Sequence, residues 1–359
     1  MRRTLLEIAA LLVFVGVVIH PLRHCVVEPM RQSLLGRREA PGRRLAMASQ
    51  FGFDTAAGNS VRIVPGAPSL DLADLPTEAV TLILGGFRGP YVVWLWMKVE
   101  DDMQKKVQFD LIDRVTKIAA FQPDYPEMWT FHAWNFAWNV SVQWQSPERK
   151  YQWIRRAIEF LREGNRRNPH SAEIMEALGW VYSEKLGRSA EALYYRQRVM
   201  EDEGRSTFLI AHEWYDRARK ANDRYGTLGH GLSKPVSYSL ACHSVSYHAI
   251  ELTQDAYDAL RRSIETRVPG REAESRRAFE EGLQRLDEAL GAWQWARREW
   301  YDQALRFERE GTTPSLIDNY RRFFGEAADS AAGLESFRDE VTYEDLPDVF
   351  DRLKRPEIR

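Results

Sequence analysis

From position 91 onward the apolar residues return every three or four positions, in blocks separated by short stretches rich in Gly, Pro and Asn. That is the interval at which one face of an α-helix comes round, and no block shows the strict alternation of a half-buried strand. The pattern predicts helices over 91–106, 108–121, 128–144, 147–167, 171–186, 206–225, 243–268 and 271–311. Their ends are marked by Gly85-Gly86-Phe87-Arg88-Gly89-Pro90, Gln122-Pro123-Asp124-Tyr125-Pro126, Asn168-Pro169, the stretch from Gly226 to Pro235, and Pro269-Gly270. Proline is tolerated in a first helical turn but not in an interior, so it punctuates the series. Ser171 is placed to cap the helix that follows it.

One block differs from the rest. Residues 128–144 read MWTFHAWNFAWNVSVQW, crowded with tryptophan and phenylalanine, yet His132, Asn135, Asn139 and Gln143 recur at helical steps along one side. The aromatic rings seat such a helix in a core, whereas amides are costly to bury unless something answers them. Two answers are open: loop carbonyls of residues 144–150, or a bound chain. In the second reading the stripe, together with Trp129, Trp138 and Trp180, lines a partner-binding groove, with Glu176 and Ser183 extending it along the next helix. The asparagines would then clamp the backbone of an extended peptide or a terminal carboxylate.

The two longest blocks carry seams. Phe279, Leu283, Leu286, Leu290, Trp293, Arg297, Trp300, Ala304 and Phe307 alternate steps of four and three, and Val245, Ala249, Leu252, Ala256, Leu260 and Ile264 form a matching stripe. Joined at Pro269-Gly270, they predict an antiparallel helical hairpin. Trp293, Trp295 and Trp300 cannot all enter one seam, so at least one faces another element, a lipid interface or a partner. After 312 no clear period continues, and the tail reads as mixed helix and loop.

The N-terminal part has a different texture. An apolar run, Ile8 to Ile19, follows Arg2 and Arg3, and reaches the length of a single membrane span over Thr4 to Val27 with Glu7 near one interface and His20, Arg23 and His24 near the other. No small-x-small cleavage site follows it, which favours an uncleaved anchor over a signal peptide. Basic residues flank it on both sides and leave the orientation open. The expected organisation is a membrane anchor at 1–28, a basic juxtamembrane segment and linker at 29–75, helical repeats at 76–205 and a helical C-terminal region at 206–359.

The repeats resemble the tetratricopeptide superfamily. Met175, Leu178, Gly179 and Tyr182 match the first-helix positions of that family's unit, and Ala157, Leu161, Gly164 and Pro169 match the second-helix positions of the preceding unit. Trp129, Ala133 and Phe136 fit that preceding unit's first helix, with about a dozen extra residues before Ala157 relative to the family's ~34-residue period. With the anchor and the GGFRGP break, the chain is also similar to a group of bacterial membrane-anchored tetratricopeptide-like proteins. The resemblance covers roughly residues 80 to 205; with the anchor and the hairpin read from the seams, the expected fold is all-α: an N-terminal transmembrane helix, an irregular solenoid and the long hairpin. The resemblance implies binding of a protein partner at the membrane, as scaffold or adaptor, and no chemistry of its own.

Charge and candidate chemistry narrow the picture. A net charge of −2 over 359 residues provides no basic face for nucleic acid. The two cysteines, Cys25 and Cys242, form neither a disulfide framework nor a CxxC motif. Cys242, His243, His248 and Glu251, with His212, include zinc-ligand types, but without the paired short spacings of a structural site. This region supports the rival reading, a metal-binding protein or enzyme; a self-assembling structural component is a third. Gly226 and Gly231 bracket four residues as in a phosphate loop, but Leu232 stands where lysine is required. No cofactor is expected.

Overall fold

The computed structural model describes residues 88–105, 108–229 and 233–352, and every regular element among them is helical. The expected anchor and linker lie outside the described residues; among those described, no helix is long and apolar enough to cross a membrane.

The helices are α1 (Arg88–Lys105), α2 (Gln108–Phe121), α3 (Pro126–Trp134), α4 (Pro147–Arg167), α5 (Ala172–Trp180), α6 (Ala192–Glu203), α7 (Thr207–Tyr225), α8 (Lys234–Glu265), α9 (Glu272–Arg309), α10 (Pro314–Glu340) and α11 (Leu346–Arg352). Two do not end where their α geometry ends: α3 runs on as a π turn, Asn135–Val140, and a short 3-10 turn, Ser141–Gln143, while α5 runs on as a second π turn, Val181–Leu186. The π turns begin at equivalent places in successive helix pairs, 46 positions apart (135 to 181).

Successive helices pack as neighbours. α1 and α2 bury Leu95, Val99, Leu111, Val115 and Ile118 between them, and Arg114 reaches back to Asp102. α4 buries Tyr151, Trp153, Ile154, Ala157, Ile158 and Leu161. Gly164 of α4 lies under Trp129 of α3, where an added Cβ would stand 2.7 Å from the indole. Gly179 of α5 does the same under Tyr215 of α7, again at 2.7 Å, so glycine sets how closely these helices cross. α4 and α6 are tied by a polar network: Arg155 and Arg162 meet Glu203 at 3.2 and 3.0 Å, and the Tyr182 hydroxyl donates to Glu203 Oε1 at 2.6 Å. Ser171 caps α5, its hydroxyl accepting from the Ile174 N–H, and α7 stops at Gly226, whose φ of 65° favours glycine.

α7 packs on both α5 and α8. α8 and α9 form the expected hairpin, with Ser246 opposite Trp300, Thr253 opposite Trp293 and Ser263 opposite Ser275, the pairing of antiparallel helices. Two details depart from the sequence reading. α8 starts at Lys234, nine positions before the expected 243, because Pro235 occupies its first turn. The seam passes through buried Ala289, Ala292 and Ala296, leaving Arg297 exposed. The tail is more regular than its sequence suggests: α10 lays Ile317, Tyr320, Ala327, Ala331, Leu334 and Phe337 into the core shared with α8 and α9. Phe323 stacks on Trp300 at 4.7 Å, making the hairpin two helices of a three-helix layer.

The three tryptophans divide as the sequence requires. Trp293 donates to Thr253 Oγ1 and Trp300 to Ser246 Oγ, both at 3.0 Å, while Trp295 turns to α7 and meets His212 edge-on.

Candidate functional site

The aromatic side of α3 places the helix. Met128, Trp129, Ala133, Phe136, Ala137 and Val140 are buried, with Trp129 and Phe136 against Phe160 of α4 at 4.6 and 5.8 Å. Trp129 Nε1 donates to the Pro123 carbonyl at 3.0 Å, so both its ring and its polar atom are used inside the core. It therefore does not line the groove it was expected to line.

The polar stripe divides by burial. His132 is buried and stacks on Trp96 of α1 at 4.4 Å, with Phe131 meeting it edge-on. Its Nε2 has no hydrogen-bond partner among the described residues, and burial pushes its pKa down to about 3, so the ring is neutral. Asn135 is also buried; its side-chain nitrogen donates to the Phe131 carbonyl at 3.1 Å. Asn139 is exposed and donates to Asn135 Oδ1 at 2.6 Å. The amides thus answer one another and their own helix, not the carbonyls of residues 144–150. Gln143 is half-buried, and its Oε1 has no donor among the described residues.

Between α1 and α3 these residues border an open groove of about 380 Å³. Asn135, Asn139, Val140 and Gln143 supply one wall, Glu100, Met103 and Gln104 the other, and Phe131 and Trp134 the aromatic lip. Phe131 and Trp134 are 45% and 47% exposed, which is unusual for rings of this size. Trp138 lies behind them, stacked on Trp134 at 6.2 Å with Lys185 over its far side at 5.9 Å. A second depression of about 670 Å³ lies where α1 starts, bordered by Val92, Val93, Trp96, Phe121 and Tyr125.

The groove does not continue along α5. Glu176 turns to α8 and accepts from the Ser237 hydroxyl, Ser183 is buried, and Trp180 is partly exposed away from the groove walls. Among the residues that do form the groove, Phe131, Trp134 and the α1 wall escaped the sequence reading. The rings were legible as aromatic but read as core, and nothing local to 91–106 indicates that α1 lies across α3.

Comparison with known protein families, curated proteins and solved structures gives no match. The reading of the site therefore rests on its own residues.

The histidine region does not converge. His243 sits among Trp300, Phe323 and Tyr247, at 4.7, 4.7 and 5.9 Å, and burial pushes its pKa down to about 4. His248 Nδ1 lies 3.7 Å from Glu251 Oε2, which also takes the Ser206 hydroxyl at 2.7 Å. Burial alone would raise the Glu251 carboxyl; His248 and Ser206 beside it, with the Arg196 charge, outweigh that and hold it below its ordinary value. His212 Nδ1 faces the Ala241 carbonyl at 3.2 Å, and Cys242 is fully buried. Among the described residues no group of three His, Cys, Asp or Glu side chains is placed to hold a metal ion.

Proposed function

We propose that this protein is a membrane-anchored scaffold of tetratricopeptide-like helix pairs, which holds a segment of a protein partner in the groove between α1 and α3. The observation that carries the proposal is the groove itself. Two large exposed rings, Phe131 and Trp134, stand beside the amides of Asn135, Asn139 and Gln143 in a trough of about 380 Å³. Aromatic anchors with adjacent amide groups suit an extended peptide, which offers backbone donors and acceptors at regular spacing and side chains for the rings. The π turn at Asn135–Val140 accords with the same reading, since π turns are found frequently at functional sites. The anchoring half rests on the apolar run from Thr4 to Val27.

The test is crosslinking and capture from native membranes, comparing wild type with Asn135→Ala/Asn139→Ala, with helical content followed in parallel. Loss of a specific partner from a folded variant is expected. Retention of every partner by the folded double variant would remove the groove from the function.

A further inference from the structure

Building on that groove reading, we infer that the α1–α3 groove selects a basic side chain, an arginine carried by an extended peptide segment of the partner. The inference concerns charge, and it differs from the terminal carboxylate that asparagines alone would suggest.

Among the nine residues that line the groove none carries a positive charge, and one, Glu100, carries a negative charge. Glu100 is exposed on α1, and among the described residues its one polar contact is the hydrogen bond from Gln104 Nε2 to Oε1 at 3.2 Å. Its neighbours Asp101 and Asp102 are paired with Lys105 and Arg114; Glu100 is not.

The amides serve either sign. Asn135, Asn139 and Gln104 each donate once, to the Phe131 carbonyl, to Asn135 Oδ1 and to Glu100, and each keeps a second N–H. The choice between occupants therefore falls to Glu100, whose second oxygen takes no hydrogen bond among the described residues. A carboxylate would meet that charge with repulsion and no cation. A guanidinium has five N–H donors and no acceptor, and its flat face stacks on aromatic rings. Phe131 and Trp134 supply those rings at the lip. An ammonium meets the charge but has no flat face for the rings, which favours arginine over lysine.

The test uses the full chain in detergent micelles, panned against a displayed library of random heptapeptides. Enriched peptides are then measured by fluorescence polarisation on wild type, Glu100→Gln, Glu100→Lys and Asn135→Ala/Asn139→Ala. Glu100 is exposed, and glutamine keeps the acceptor for Gln104, so the fold is not at stake. Enrichment of arginine at one position is expected, with affinity about fivefold weaker in Glu100→Gln and weaker again in Glu100→Lys. Enriched peptides that lack a basic residue, yet depend on Asn135 and Asn139, would overturn the arginine preference and leave the groove reading standing. Basic peptides that bind Glu100→Gln as tightly as wild type would also overturn it. Absence of any enriched peptide would overturn both.

Discussion

His132 offers a quantitative test of how α1 is held on α3. Its ring is buried against Trp96, and burial lowers its pKa from 6.5 to about 3. Between those values the unfolded chain binds a proton at this residue and the folded chain does not, so stability falls as pH falls. The contribution is whole above pH 6.5, erodes below it, and is fully lost near pH 3. Each pH unit in that window is about 1.4 kcal/mol, so the loss from this residue alone on going from pH 7 to pH 5 is about 2 kcal/mol. Phenylalanine keeps a flat ring for Trp96, removes the unpartnered Nε2 and cannot titrate. In urea unfolding followed by circular dichroism, His132→Phe is expected within about 1 kcal/mol of wild type at pH 7, where lost strain and added volume offset each other. At pH 5 it should be the more stable by about 2 kcal/mol beyond that difference. His243 and the carboxylates titrate in both proteins and cancel in the comparison. If the two proteins lose the same stability between pH 7 and pH 5, His132 is solvated and the packing of α1 on α3 described above is wrong.

Two further outcomes follow from packing. Gly179→Ala places a Cβ 2.7 Å from the Tyr215 ring, whereas Gly291→Ala, on the exposed side of α9, meets nothing within 4 Å. The first should lower the melting temperature through ~1–3 kcal/mol of overpacking, and the second should raise it slightly, since alanine is the better helix former by ~1 kcal/mol. Scanning fluorimetry that finds both changes favourable would refute the close α5–α7 crossing. Burial holds the Cys242 thiol well above its ordinary pKa, so in a Cys25→Ser background Ellman's reagent at pH 8 should react only after denaturant is added. Prompt reaction in buffer would show that the α8–α9 core opens there.

What the sequence made legible was whatever depends on neighbours along the chain. The span of α4 follows from Pro147 and Asn168-Pro169, the cap of α5 from Ser171, and the hairpin from two seams and a Pro-Gly turn. Gly164 and Gly179 stood out through the resemblance to tetratricopeptide units, and their role as contact points became clear only with Trp129 and Tyr215 above them. The polar stripe was legible as residues but not as a surface. His132, ahead of the π turn, is buried against Trp96 of α1, while Asn135, Asn139 and Gln143 border the groove, Asn135 buried and Asn139 exposed. Nothing in the residue types of NFAWNV marks a π turn, and the segment is packed on α4, a distant part of the sequence. The same holds for α10: its small residues, Ala327 and Ala331 among them, have a weak period, and α9 organises them. The groove depends on α1 lying across α3, a relation between distant positions that no window of sequence contains.

The paired π turns also give these helices an unusual tolerance. A residue added to or taken from a regular helix rotates everything after it by about 100°, which wrecks a packed face. In α3 and α5 one such insertion is already absorbed, at the same point of successive helix pairs. Each turn takes up the extra residue locally, so that Met128, Trp129 and Ala133 before it and Val140 and Ser141 at its end are all buried. Removing one residue there would let the backbone relax to a plain α-helix with its two flanks still in register, whereas removing one from α4 would rotate everything beyond the cut. At these two points the chain can change length without losing its packed faces.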